Sequence, residues 1–256
     1  MQASENQQGK WEAYWKDTRD IAAQSYPEAQ SVWDSEVEAG IELDLPRFMA
    51  HFDPALPVID VGCGSGKQTA RLARHFPRVL GTDVSASAVQ FAAQAHPAKN
   101  LEYSVLDALS PSDARALHSR LGDANLYVRT VVHIFGDKER ASLGEVLRIL
   151  MGERGTMYNI ELGPKSPEYF EYWIKTHGMP VKLARVMSKG LRPGPVGKED
   201  IDRLFPPRSY ETLDSGDAIW AGVRMTSQEL VAAGRREGEI FEPPMYYSLI
   251  RKRSGN

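Results

Sequence analysis

The chain has 256 residues, 42% of them hydrophobic and 25% charged, and a formal net charge of −3. That length suits one large domain with a substantial core. The acidic balance argues against nucleic acid or an anionic membrane as the main partner, because such surfaces need an excess of Lys and Arg. Cys63 is the single cysteine, which excludes an intrachain disulfide and a cysteine-based zinc site. No stretch approaches the roughly 20 apolar residues that span a bilayer. Residues 1–6 carry no apolar signal core, so a cytoplasmic protein is expected, acting on a small molecule and needing no metal.

Residues 9–51 read as two or three helices. Trp11, Tyr14 and Trp15 share a face at i, i+3, i+4 spacing, and Val32, Val37, Ile41 and Leu45 suggest a second stripe. Pro54 and Pro57 end that pattern. Short apolar strands then follow at 57–61, 79–84, 101–106, 126–132 and 156–162, with helices near 66–76, 85–95, 111–120 and 137–151 between them. Such alternation predicts a doubly wound α/β fold, a mostly parallel sheet with helices on both faces. After Gly163 the pattern changes. Residues 164–197 carry Pro164, Pro167, Pro180, Pro193 and Pro195 around Tyr169, Phe170, Tyr172 and Trp173, and read as an inserted cap. A helix at 198–204, a strand at 210–213 (extended or not by 219–224), a helix at 227–236 and a strand at 245–250 complete seven strands, with an antiparallel edge. One domain is expected over 1–256, with residues 1–52 as a helical lid.

Asp60-Val61-Gly62-Cys63-Gly64-Ser65-Gly66 follows the first strand and opens the next helix. A phosphate-binding P-loop needs a Gly five residues before Gly66 and a Ser or Thr after Lys67, but Val61 and Gln68 stand there. A dinucleotide fingerprint counted from Gly62 needs Gly at Lys67. What remains is an acid followed by three alternating glycines. Asp83 and Asp107 close the second and third strands, so three acids face one carboxyl edge of the sheet, where open α/β folds bind ligands. Any one of them alone reads equally as a helix cap.

This constellation resembles the first motifs of the class I S-adenosylmethionine-dependent methyltransferases, over roughly residues 55–163. The resemblance implies a Rossmann-like fold and S-adenosylmethionine as cofactor. Gly62, Gly64 and Gly66 then let the backbone lie against its amino-acid end, and Asp60 neighbours its amino group. Asp83, beside Val84, receives the ribose hydroxyls, and Asp107 with Ala108 holds the adenine.

The stretch Arg129-Thr130-Val131-Val132-His133-Ile134-Phe135-Gly136-Asp137 is similar to the Arg…His…Asp run of small-molecule O-methyltransferases, in which the His serves as base. His133 is therefore a candidate base, or else a wall or hydrogen-bond donor of the site. Glu161, near the end of the fifth strand, is a second candidate, or else a turn contact. Arg129 closes over the cofactor or positions an acidic substrate, or else pairs with a neighbouring acid. Tyr14 lines the cofactor site or simply packs its helix, and Tyr169, Phe170 and Trp173 are substrate walls or cap core. The expected reaction is methyl transfer to a small organic acceptor, O-methylation of a specialised metabolite first. N- or C-methylation, a cofactor-assisted rearrangement or cyclisation, and non-catalytic cofactor binding are the alternatives.

Overall fold

A computed structural model describes residues 2–22, 39–220, 223–225, 227, 228, 232 and 238–254. Val32 and Val37, and most of the helix expected at 227–236, lie outside the described residues. Helices α1 (Gln2–Ala22) and α2 (Ala39–Phe48) precede an alternating run: β1 (Val58–Val61), α3 (Lys67–His75), β2 (Val79–Asp83), α4 (Ala86–Ala95), β3 (Leu101–Val105), α5 (Pro111–Leu121), β4 (Asn125–Arg129), α6 (Asp137–Met151) and β5 (Thr156–Leu162). Then come α7 (Ser166–His177), α8 (Val181–Ser188), α9 (Lys198–Leu204), β6 (Tyr210–Ile219), β7 (Val223–Met225), β8 (Glu239–Phe241) and β9 (Pro244–Lys252).

The main sheet has seven strands in the order β3-β2-β1-β4-β5-β9-β6, with β1 to β5 parallel. The antiparallel strand is not at the edge. β9 pairs with β5 along its whole length and takes β6 on its other side. Composition explains the placement. β9 buries Met245 and Ser248 to Ile250, whereas β6 carries Asp214, Ser215, Gly216 and Asp217 and a register shift after Thr212, features an edge strand tolerates. A separate antiparallel pair joins β7 to β8.

Period-2 alternation divides the strand residues between the two faces of the sheet. Ile59, Val61, Leu126, Val128 and Met157 pack toward α5, α6 and α9. Val58, Tyr127, Tyr158, Ile160 and Leu162 pack with Ile41, Leu45 and Phe48 of α2, Leu72 of α3 and Trp173 of α7. Helix α6 presents Leu143, Val146, Leu147 and Leu150 at one face, all fully buried, each contributing roughly 1.5–3 kcal/mol. A third cluster joins Trp11, Tyr14 and Trp15 of α1 to Ala88 of α4 and Val186 of α8. Glu12 fixes α1 to the start of α4, accepting from Ser85 Oγ at 2.7 Å and Ser87 Oγ at 2.5 Å. The sheet's carboxyl edge thus lies beside α1 and α8.

Candidate active site

β1 delivers Asp60 to a tight turn in which Gly62, Gly64 and Gly66 adopt φ of 76°, 52° and 78°. A Cβ on Gly62 would stand 2.6 Å from Val131 Cγ2, and one on Gly66 would meet Ala92 Cβ at 2.7 Å. Gly62 N and Cys63 N both donate to Thr82 O at 2.8 Å, which ties the turn to β2. Helix α3 starts directly from Gly66 without a side-chain cap. Asp60 Oδ2 accepts from Thr69 Oγ1 at 2.6 Å, and Asp83 accepts from Gly64 N at 3.0 Å and Ser85 N at 2.9 Å. Burial pushes Asp60 up to about 7 and Asp83 up to about 6. Asp107 Oδ1 receives Leu109 N at 2.8 Å, bending the chain toward α5.

These groups open on a cleft at the carboxyl edge of the sheet. Asp60, Gly62, Gly64, Asp83, Val84, Asp107, Ala108 and Arg129 all line it. Two expected residues do not. Gly66 is packed beneath the turn against Ala92 and Tyr103, and Tyr14 is fully buried, its hydroxyl taking Arg185 Nη2 at 3.1 Å. The α1 residues that do reach the cleft are Gln7, Gln8, Trp11 and Trp15. Their spacing, one helical turn apart, was the available signal; Tyr14 sits at the flank of that stripe and is taken by α8.

Arg129, at the end of β4, is buried in the cleft wall beside Tyr127. Its Nη1 reaches Asp44 Oδ2 of α2 at 3.4 Å, and its Cζ lies 5.2 Å from the centre of the Trp220 ring. Asp44 also accepts from Tyr127 OH at 3.0 Å and Tyr158 OH at 2.8 Å. Burial raises the Asp44 pKa, opposed chiefly by the Arg129 charge. Arg129 Nε and Nη2 remain buried without a hydrogen bond, as do Gln7 Oε1 and Gln68 Oε1, whose residues share the same cleft. Sequence reading missed Asp44. An acid on the apolar Ile41–Leu45–Phe48 face of an amphipathic helix was the signal for it.

After Arg129 the chain turns through Thr130 at φ 60°, a left-handed conformation that a β-branched residue rarely takes and that costs about 1–3 kcal/mol. The turn aims three consecutive N–H groups at Glu161. Its Oε1 accepts from Val131 N at 3.0 Å and Val132 N at 2.9 Å, and Oε2 from His133 N at 3.2 Å and His133 Nδ1 at 2.7 Å. Glu161 is fully buried and lines neither cavity.

His133 forms part of the wall of a second, smaller cavity, which shares Trp11 and Ile134 with the first cleft. Leu162, Leu191 and Pro193 line it near His133, and Phe170, Leu183, Val186, Trp220 and Phe241 complete it. Of Tyr169, Phe170 and Trp173, only Phe170 lines this cavity. Tyr169 OH instead receives Glu242 N at 2.9 Å, and Trp173 packs edge-on to Phe241 at 5.3 Å, so both support Phe241 from behind. No group of three His, Cys, Asp or Glu among the described residues is arranged to hold a metal, and none of their helices is long and apolar enough to cross a membrane.

The alternating sheet and its glycine turn define a methyltransferase domain, and the family model of that description matches residues 58–152. The chain is 39% identical to a SAM-dependent methyltransferase from Anabaena variabilis, covering 96% of this chain and 95% of that one with a TM-score of 0.84. It belongs to the S-adenosylmethionine-dependent methyltransferases. The protein is an enzyme, and S-adenosylmethionine is its cofactor. The N-methyltransferase NodS of Bradyrhizobium japonicum, in complex with S-adenosyl-L-homocysteine, shares the fold at 13% identity, 94% and 99% coverage and a TM-score of 0.54. Magnesium protoporphyrin IX methyltransferase of Synechocystis shares it at 17% identity, 84% and 82% coverage and 0.52. No curated protein matches.

Proposed function

We propose that the enzyme methylates a hydroxyl oxygen of a small organic molecule, a specialised metabolite, with His133 as the general base. The observation that carries this reading is the 2.7 Å contact between His133 Nδ1 and Glu161 Oε2, with His133 in the lining of the cavity next to the cofactor cleft. A buried carboxylate that receives Nδ1–H selects the tautomer whose Nε2 carries a lone pair. That nitrogen takes the hydroxyl proton as the oxygen attacks, and later gives it to water. Glu161 is the positioning residue, holding the ring and the backbone turn together.

When bound, S-adenosylmethionine supplies an electrophilic methyl group on sulfonium sulfur and departs as S-adenosylhomocysteine. The cleft fits that molecule. Its unpaired buried groups, the Arg129 nitrogens and the Gln68 oxygen, are complementary to a carboxylate and an ammonium. Arg129 would hold the carboxylate. Gln68 and Asp60 would face the ammonium, Asp83 the ribose hydroxyls, and Asp107 with the Ala108 N–H the adenine, flanked by Val84. Gly62 and Gly64 keep the wall free of side chains, and Gly66 shapes the turn from beneath.

In this reading residues 1–52 act as a lid and residues 164–197 as a cap on a single domain spanning 1–256. α1 and α8 are joined where Arg185 meets Tyr14 and Thr18, so lid and cap close on the site together. The acidic balance of the chain favours a small molecule over nucleic acid, and we read the protein as cytoplasmic. The test is incubation with methyl-labelled cofactor and a panel of hydroxyl, amine and carbon acceptors, with the product read by NMR. A new O-methyl signal supports the proposal, and label found only on nitrogen or carbon refutes it.

A further inference from the structure

We infer that the acceptor is a neutral, largely apolar molecule carrying, besides its hydroxyl, an uncharged oxygen such as a carbonyl that receives the Trp220 indole N–H. The inference rests on the reading that the cavity beside His133 seats the acceptor. Among the described residues that line that cavity, none is an Asp, Glu, Lys or Arg. The arrangement of α8 produces this. Leu183 and Val186 line the cavity, whereas Arg185 is held at Tyr14 OH and Thr18 Oγ1, at 3.1 and 3.0 Å. A charged group entering there would lose its hydration without gaining a counter-ion, a cost of several kcal/mol.

Trp220 supplies the polar anchor. Its backbone N is fixed to Pro243 O at 3.2 Å, its ring carries Arg129 on one face, and the same ring is part of the cavity wall. Yet its Nε1, buried from solvent, has no hydrogen-bond partner. Buried indole N–H groups normally find one, and leaving one unpaired is unfavourable. An oxygen of a molecule seated in the cavity recovers that energy. Phe170 and Phe241 supply flat walls for its apolar body.

The experiment is calorimetric titration of the full chain, saturated with S-adenosylhomocysteine, using three probes of similar size: 4-hydroxyacetophenone, 4-ethylphenol and 4-hydroxybenzoate. The ketone is more polar than the ethyl compound, so without a waiting donor it would bind the more weakly. The expected result is that it binds roughly three- to ten-fold tighter than 4-ethylphenol, as one neutral hydrogen bond provides. 4-Hydroxybenzoate is expected to bind at least about tenfold more weakly than either. Trp220→Phe keeps an aromatic wall but removes the N–H, and is expected to erase the ketone's advantage over 4-ethylphenol. Benzoate binding as tightly as the ketone, a preference that survives Trp220→Phe, or no binding of any probe overturns the inference. The order in the unaltered protein stands as a test even if the variant does not fold. Because binding is read without turnover, failure of O-methylation shows separately, as bound phenols that form no methyl ether.

Discussion

Glu161 closes on four N–H donors of a single turn, three from the backbone of Val131, Val132 and His133 and the fourth from His133 Nδ1 at 2.7 Å. One buried carboxylate therefore fixes both the path of the chain after β4 and the orientation of the imidazole. Glu161→Gln keeps the shape but turns an amide NH₂ toward these donors. It is expected to lower stability by about 2–3 kcal/mol in urea titrations. It should also lower kcat substantially while the KM for the acceptor changes little, since the cavity wall is retained. A purely structural Glu161 would lower the melting temperature and leave kcat of the folded fraction unchanged.

The Asp44–Arg129 pair is a second buried dependence, at 3.4 Å, with Tyr127 and Tyr158 donating to the same carboxylate. Asp44→Asn leaves the Arg129 charge buried and uncompensated, a loss of about 3–5 kcal/mol. Calorimetric unfolding measures it. A variant as stable as the parent would show that Arg129 finds another partner.

Gly62 is constrained twice, by φ 76° and by Val131 Cγ2 at 2.6 Å from the position a Cβ would take. Gly62→Ala is expected to weaken cofactor binding at least about tenfold as the turn shifts. Adding Val131→Ala relieves the contact but not the dihedral, so recovery is expected to be partial. Full recovery in the double variant would assign the whole effect to the side-chain clash.

The alternating core was readable because period-2 apolar strands and capped helices are local signals. α6 and α9 occupy the expected spans, and Ser85 and Ser110 cap α4 and α5 through their own side chains. The three acids on the carboxyl edge were readable for the same reason, each ending its own strand. The second cavity was not. Phe170 meets Phe241 across 71 positions of sequence, at 5.1 Å, and no periodicity in residues 164–197 indicates which aromatic faces inward. The extent of β6 was hidden as well, because Asp214-Ser215-Gly216-Asp217 has turn composition and forms strand only through pairing with β9. Tyr14 was misplaced since a helical face shows which residues are buried, not whether the neighbour is a ligand or another helix.

Stability in the absence of cofactor is expected to fall as pH rises. Asp60 and Asp83 titrate near 7 and 6 in the fold because burial disfavours their charge, against about 4 in an unfolded chain. Between about pH 4 and 7 the folded state therefore binds more protons, and the unfolding free energy declines as these groups ionise. Scanning calorimetry at pH 5 and pH 8 checks this, with Asp60→Asn as control. The variant should show the shallower dependence, and an unchanged slope would remove Asp60 as its source.

The central claim, that His133 takes the acceptor's proton, is tested most directly by His133→Ala. Cofactor affinity and O-methyl product formation should be measured on the same preparation. The account predicts S-adenosylmethionine binding within about twofold of the parent and a fall in methyl-ether formation of at least about 100-fold. Methyl-ether formation at the parental rate by a folded, cofactor-saturated His133→Ala enzyme would contradict it.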